Sequence, residues 1–288
     1  MNDRYAHIQR LAAEHPVKTL CKVLAVRRGG YYAWRGRGPG PRQQEDARLA
    51  PVVAQVFAET RHAYGRVRLT RELKARGHAC GEVRVGRLLR TQGLCARPRR
   101  RFRPQTTDSR HAGPIAPNRL ADRPAPTRPN EVWMTDFTYL PTTTGWLFLA
   151  VVLDRASRRV VGWAFSPALN TALALAALRM AVRHRRPPAG LIHHSDRGSQ
   201  YASAAYRAEL AAHGFLASMS RAGNPYDNAA MESFYSTLKT EWLARQALAS
   251  PAETEAGCFD YVEVFYNRGR RHSALGYQSP VDFEQQLN

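Results

Sequence analysis

The sequence predicts a mixed α/β domain preceded by a small, all-helical domain of helix-turn-helix type, and three observations carry that reading. After Asn130, runs of apolar and β-branched residues alternate with stretches of helical periodicity in the order βββ-α-β-α-β-α-α. Upstream, two short basic helices are separated by a Gly-containing turn. Charge divides along the same line: residues 1–129 carry 28 Lys and Arg against 9 Asp and Glu, a net +19, whereas residues 130–288 carry 15 against 14, a net +1. Such asymmetry points to a polyanion-binding arm on a differently employed globular domain, and nucleic acid is the partner it fits. A chain of 288 residues has room for about two domains.

Several classes are excluded at once. A hydrophobic fraction of 44% is too high for a wholly disordered chain. The longest apolar stretch, residues 147–153, is far short of the ~20 residues a membrane helix needs. No apolar segment follows Met1-Asn2-Asp3-Arg4, so no secretory signal is expected. Cys21, Cys80, Cys95 and Cys258 form no C-x-x-C pair and read as buried or free thiols of a reducing, cytoplasmic compartment.

Residues 1–40 read as a helical segment and linker. Val17, Leu20, Val23 and Leu24 share one helical face over 17–26, Gly29-Gly30 stops that helix, and a Gly/Pro/Arg linker runs over 35–42. Residues 41–96 form the helix-turn-helix-like domain. A helix over 42–60 turns Leu49, Val52, Val53, Val56 and Phe57 inward. Helices over 67–76 and 82–92 follow, closed by Gly93, and Arg66, Arg68, Arg84 and Arg87 are its candidate DNA contacts. Residues 97–129 carry seven Pro, nine Arg and two acids, a basic tether with too little apolar surface to fold alone.

Residues 130–288 hold the α/β domain, which is expected to fold by itself and, by the charge split, to lose most DNA affinity without the upstream residues. Strands are expected over 131–140, 146–153 and 159–165, with the turn Thr142-Thr143-Thr144-Gly145 between the first two. Asn170 or Thr171 caps a helix to about 184, and Pro187-Pro188-Ala189-Gly190 ends it. Residues 191–194 form a short buried strand, 199–213 a helix, 215–218 the last strand, and 228–243 and 251–266 two further helices.

Three acids in this domain lie where metal chemistry wants them. Asp136 sits inside the first strand, where a carboxylate is costly to bury unless a cation or donor meets it. Asp196 follows the short strand, at the strand end where α/β sites open. Glu232 lies on a helix further on, with 35 residues intervening after Asp196, and Asn228, Ser236 and Lys239 share its face. Hard carboxylates of this kind hold Mg²⁺, water and phosphate oxygens completing the shell. Each acid also has a plainer reading: a satisfied buried hydrogen bond, a turn residue, a helix surface residue.

The blocks Trp133-x-Thr135-Asp136-Phe137-Thr138-Tyr139, His194-Ser195-Asp196-Arg197-Gly198-Ser199-Gln200-Tyr201 and Asn224-Pro225-Tyr226-Asp227-Asn228-Ala229-x-x-Glu232-Ser233-Phe234 resemble the retroviral-integrase-like core of the IS-three family of insertion-sequence transposases. The tail Tyr266-Asn267-x-x-Arg270-Arg271-His272-Ser273-x-Leu275-Gly276-Tyr277-x-Ser279-Pro280 and the segments Tyr31-Tyr32-Ala33-Trp34 and Tyr64-Gly65-Arg66-Val67-Arg68-Leu69 are similar to the same family. The resemblance implies an RNase H-like core, a mixed five-stranded sheet with flanking helices. It also implies a catalytic triad of Asp136, Asp196 and Glu232 holding two Mg²⁺ ions, with Mn²⁺ able to substitute, about 3.5–4 Å apart. Cleavage of transposon ends and strand transfer to target DNA would follow, with Lys239 touching DNA. A homo-oligomer on DNA is implied, as is an upstream-frame (OrfA) protein as fusion or partner. The departures, Phe137 where Ile is usual and Val67-Arg68 where two Arg are common, leave the acids untouched.

Two rivals remain at this point: a DNA-binding repressor with an inert core, and an RNase H-like nuclease that cuts without joining. Arg197 and Arg221 are candidates to meet phosphate, against plain solvation. Asn228 is a candidate DNA or supporting contact, against helix capping. Asp154 reads as a hairpin-turn residue, and His193 and His194 as packing or supporting groups.

Overall fold

The computed structural model describes residues 2–38, 40–96, 113–121, 123–221 and 228–287. At its centre is β1 (Val132–Thr142), whose alternate residues enter two different cores. It pairs antiparallel with β2 (Gly145–Asp154), and β2 pairs antiparallel with β3 (Val160–Ser166). On its other side β1 runs parallel to β4 (Ile192–Ser195), and β4 to β5 (Leu216–Met219), giving the order β3-β2-β1-β4-β5. This is the mixed five-stranded sheet with flanking helices that the resemblance implied.

One face, with Trp133, Ala150 and Val152, packs on α7 (Thr171–Arg185) and α9 (Ala204–Ala212). Asn170 caps α7 as the sequence indicated, its Oδ1 accepting from the Leu173 N–H at 3.0 Å. Ala174, Ala177 and Ala181 let α7 come down on Gly162 of β3, where an added Cβ would collide with the Ala177 carbonyl and the Ala181 methyl. Gly162→Ala is therefore expected to cost about 1–3 kcal/mol of stability by overpacking, read as a lower urea midpoint at unchanged m-value. A midpoint shift near zero would mean that α7 can lift away freely.

The other face, with Val132, Met134, Val151 and Ile192, packs on α10 (Ala229–Glu241) and on the helix that begins as α11 (Pro251–Phe259) and continues as a π-helix over Asp260–Tyr266. That single expected helix, over 251–266, thus changes winding halfway. The helix expected over 199–213 is likewise divided, into α8 (Ser199–Ala202) and α9. Ser203 is extended between them and its hydroxyl accepts from the Tyr206 N–H. A last helix, α12 (Pro280–Gln285), had no forecast; buried Glu284 ties it to Arg159 at 2.6 Å and Arg185 at 2.8 Å.

Near the N-terminus, α1 (Asn2–Leu11), α2 (Val17–Val23) and α3 (Arg28–Arg35) enclose a small core of Tyr5, Ile8, Leu20, Cys21 and Tyr31. Gly29-Gly30 does not end a helix, contrary to expectation. It lies within α3, where Gly30 makes room for the Tyr5 ring: a Cβ there would stand 2.5 Å from the Tyr5 hydroxyl oxygen. Next come α4 (Pro41–Glu59), α5 (Arg66–Ala75) and α6 (Glu82–Thr91), close to the three expected helices, with Gly93 at φ +66° after the last.

The helical module is not a free arm. Its Val53, Phe57, Tyr64 and Leu69 belong to the same buried cluster as Met231, Phe234 and Phe265. Polar contacts reinforce the join: Arg271 Nε donates to Glu72 at 2.5 Å, the Arg271 N–H to the Tyr64 hydroxyl at 2.7 Å, and Arg61 pairs with Asp260 at 2.8 Å. The expectation that 130–288 stands alone is corrected accordingly, since removing the module would strip cover from α10 and the π-helix. The tether is corrected in part. Leu120 is buried, and the Arg119 N–H donates to the Ser218 hydroxyl at 2.9 Å, laying this stretch against β5. Residues 97–112 and 122 of that tether, and 222–227, which include the start of the third motif, lie outside the described residues. All four cysteines are free thiols, and no described helix is long and apolar enough to cross a membrane.

Candidate active site

The site is built by strand register. Trp133 pairs with His193 and Met134 with His194 in the parallel β1–β4 ladder. Two residues further along, this sets Asp136 level with Asp196, just past the end of β4 at Ser195. Alternation turns Asp136 to the α10 face, while its neighbour Phe137 stacks on Tyr201 across the other face at 5.0 Å between ring centroids. Asp136 Oδ1 accepts from the Phe137 N–H at 2.7 Å and Oδ2 from Asn228 Nδ2 at 2.8 Å. Asp196 Oδ1 accepts from the Gly198 N–H at 2.9 Å. Tyr235 of α10 donates to the Asp136 carbonyl at 2.5 Å and so anchors helix to strand. Sequence reading missed Tyr235, which inside an apolar helical stripe looks like any core tyrosine.

Burial, with the negative charge of Asp196 next in size, pushes the Asp136 carboxyl up to about 7, against the two hydrogen bonds it accepts; Glu232 adds to the rise. A carboxyl raised from its ordinary 3.8 stabilises the fold while protonated. That contribution is fully present below about pH 4 and is lost as the pH climbs through about 7. In chelator-containing buffer, Asp136→Asn should therefore gain stability over the wild type as the pH rises from 5.5 to 8. The gain should reach the order of 1–3 kcal/mol, by urea unfolding at each pH. A difference that stays constant over that range would show that Asp136 titrates normally.

On α10, Ala230, Met231, Phe234, Tyr235 and Leu238 face inward, which leaves Glu232 exposed near the helix start. The structure thus brings Asp136 and Asp196 together and keeps Glu232 on the rim, within electrostatic reach. Among the described residues no three His, Cys, Asp or Glu side chains converge as a ready metal cluster. The donors nevertheless suit a hard cation. Two carboxylates stand level, and Asn228 Oδ1 is buried beside Asp136 with no hydrogen-bond partner. Lys239 lies over the Tyr139 ring at 4.8 Å, and burial lowers its pKa while Asp136 opposes that shift.

The remaining candidates divide by position. Arg197 donates from Nε to the Ser220 carbonyl at 2.9 Å, and Arg221 is exposed. His194 is buried between the Ser218 and Ser220 hydroxyls, at 2.8 and 3.0 Å, and His193 Nε2 is 3.3 Å from the Tyr206 hydroxyl. Both pack inside the sheet. Asp154 Oδ1 accepts from the Ala156 and Ser157 N–H groups, holding the turn into β3. Arg66 is exposed on α5. Arg68, by contrast, reaches Glu241 of α10 at 3.3 Å, and Arg84 and Arg87 hold Asp46 at 2.7 and 2.6 Å. Each of the three is thus paired within the protein by a carboxylate that sequence spacing did not reveal.

Comparison with known proteins gives matches along nearly the whole chain. Integrase core domain profiles match residues 126–225 and 213–280, and an HTH-like domain profile matches residues 43–102. The insertion element IS600 31 kDa protein of Shigella sonnei is 45% identical over 93% of this chain and 98% of its own length. The transposase InsF for insertion sequence IS3A of Escherichia coli K12 is 41% identical over 98% of both chains. A chain of the simian T-cell lymphotropic virus intasome superposes with a TM-score of 0.47 at 17% identity, over 81% of this chain and 74% of that one.

Proposed function

We propose, for a chain that belongs to the IS-three family of insertion-sequence transposases, that its integrase core cuts transposon ends and joins them to target DNA at a centre formed by Asp136, Asp196 and Glu232. Membership makes the protein a DNA transposase, a polynucleotidyl transferase. The observation that supports this centre is the register that sets Asp136 level with Asp196, with unpartnered Asn228 Oδ1 beside them.

The integrase-core family is metal-dependent, and in this chain Asp136 and Asp196, with Glu232 approaching from α10, would hold the cation. Mg²⁺, most simply as a pair of ions, would supply a lowered pKa for the attacking water or 3′-hydroxyl and charge stabilisation for the leaving 3′-oxygen. The residues themselves prepare that place. Asn228 and the Phe137 N–H fix the Asp136 carboxyl, the Gly198 N–H fixes Asp196, and Tyr235 keeps α10 at its distance from β1. Arg197, Arg221 and Lys239 would meet backbone phosphates around the carboxylates, and Arg66 of the helical module would contact DNA further out. Joining two ends in one event favours a homo-oligomer on DNA, and the upstream-frame protein is a partner or fusion consistent with the family.

The test is strand transfer of labelled end duplexes into plasmid DNA by the full chain with Mg²⁺. Joined products support the reading; cleavage with no joined product favours the nuclease, and binding with neither favours the repressor.

A further inference from the structure

A cleft of about 670 Å³ opens between the helical module and the core, with α10 as one wall. Among the described residues its lining holds the guanidinium groups of Arg68, Arg158, Arg245 and Arg270 and the carboxylate of Glu241. That carboxylate is already taken, accepting from Arg270 at 2.7 Å twice and from Arg68 at 3.3 Å. Arg158, in the turn before β3 at φ +60°, has no carboxylate partner among the described residues.

His272 supplies an independent sign. Its side chain lines the cleft, the residue is only 8% exposed, and its Nε2 is buried with no hydrogen-bond partner. Nδ1 lies 3.5 Å from Arg270 Nη1; a guanidinium can only donate, so Nδ1 accepts and Nε2 carries the ring proton. Burial, and then the Arg270 charge, push the ring down to about 2, so it stays neutral at any working pH. The ring faces the Tyr266 carbonyl and lies within electrostatic reach of Arg270, Arg68 and Arg158, yet its buried Nε2 completes no hydrogen bond.

We propose that this cleft binds a backbone phosphate of a DNA strand, with the Arg158 guanidinium and the His272 Nε2–H as its donors. The inference rests on the transposase reading and extends it to a place where the strand is held after leaving the carboxylates. Volumes of about 300–1,000 Å³ are those of small-molecule sites, but such sites have mostly apolar walls, whereas guanidinium and hydroxyl groups make up much of this lining between alanines. Ser236, one helical turn beyond Glu232, lines the cleft, so a strand engaged at the rim acid has a continuous path into it.

The experiment uses the full chain in chelator, where no cleavage occurs, and end duplexes that each carry one neutral methylphosphonate. Wild type is expected to lose about tenfold in affinity by fluorescence anisotropy at one or two of the replaced phosphates. Arg158→Gln should show that loss on unmodified DNA, none further at those positions, and a salt slope smaller by about one. His272→Phe keeps a ring but removes the donor and should converge on the same phosphates; if it does not fold, the Arg158 arm decides alone. Parallel losses for wild type and Arg158→Gln at every position would overturn the proposal. So would a flat scan combined with inorganic phosphate raising the melting temperature of wild type but not of Arg158→Gln, since the ligand would then be a free phosphate. Strand transfer by wild type is read separately: its absence sinks the transposase reading, while the scan still decides the cleft.

Discussion

Asp196→Asn is expected to abolish both cleavage and joining while leaving end-DNA affinity within about twofold, as for surface changes of less than ±0.5 kcal/mol. Asn keeps the shape and the acceptor that Asp196 Oδ1 offers to the Gly198 N–H, so the turn before α8 should persist. What it removes is the negative charge that raises the Asp136 carboxyl and that, in the proposed centre, would draw a divalent cation to this strand end. Loss of a single preorganised electrostatic group of this kind costs at least about 10²–10³ in rate, and a metal ligand should cost more. The checks are single-turnover strand transfer and anisotropy on the same preparation. Joining at wild-type rate would show that the chemistry lies elsewhere, and weakened binding with intact chemistry would make Asp196 a DNA contact. The same change should also lower the Asp136 carboxyl toward its ordinary range, because the second-largest cause of its rise is gone.

How much of this was legible in the residues depends on the range of the interaction. The sheet was, because its strands are read from local apolar alternation, and so was the cap at Asn170, a contact over three residues. The pairing of Asp136 with Asp196 was legible only through resemblance. Composition says that two acids exist, but the parallel register that levels them is a non-local fact. Gly29-Gly30 misled because a glycine pair signals a helix end by local rules, whereas Gly30 answers to Tyr5, from a different helix. The arginines misled for the opposite reason. A run of basic residues reads as a DNA face until their partners are known, and Arg68, Arg84 and Arg87 find theirs at Glu241 and Asp46. Arg270 and Arg271, in the tail motif, are likewise occupied by Glu241 and Glu72. Part of the +19 upstream charge therefore docks the module rather than meeting DNA.

Glu241 is where that docking can be broken with the largest effect on stability. It lies at the C-terminal end of α10, accepts from both Arg68 and Arg270, and takes a further hydrogen bond from the Tyr261 hydroxyl at 3.1 Å. Burial works against the Arg270 charge, but the Glu241 hydrogen bonds and charge outweigh it and hold the guanidinium pKa above its ordinary value. Arg68 has the reverse balance, burial and the Arg270 charge lowering it while Glu241 opposes. Glu241→Gln keeps the volume and removes the anion that, among the described residues, Arg68 and Arg270 share, so that the two cations then face each other uncompensated. Breaking a buried pair in this way costs about 3–5 kcal/mol. Urea unfolding should show that loss, and hydrogen exchange should rise first in α5 and in α10, the two elements the ion cluster joins. A loss below about 1 kcal/mol, within the range of surface pairs, would mean that water reaches the cluster and that the apolar contacts of Phe57, Tyr64 and Phe265 hold the module on their own.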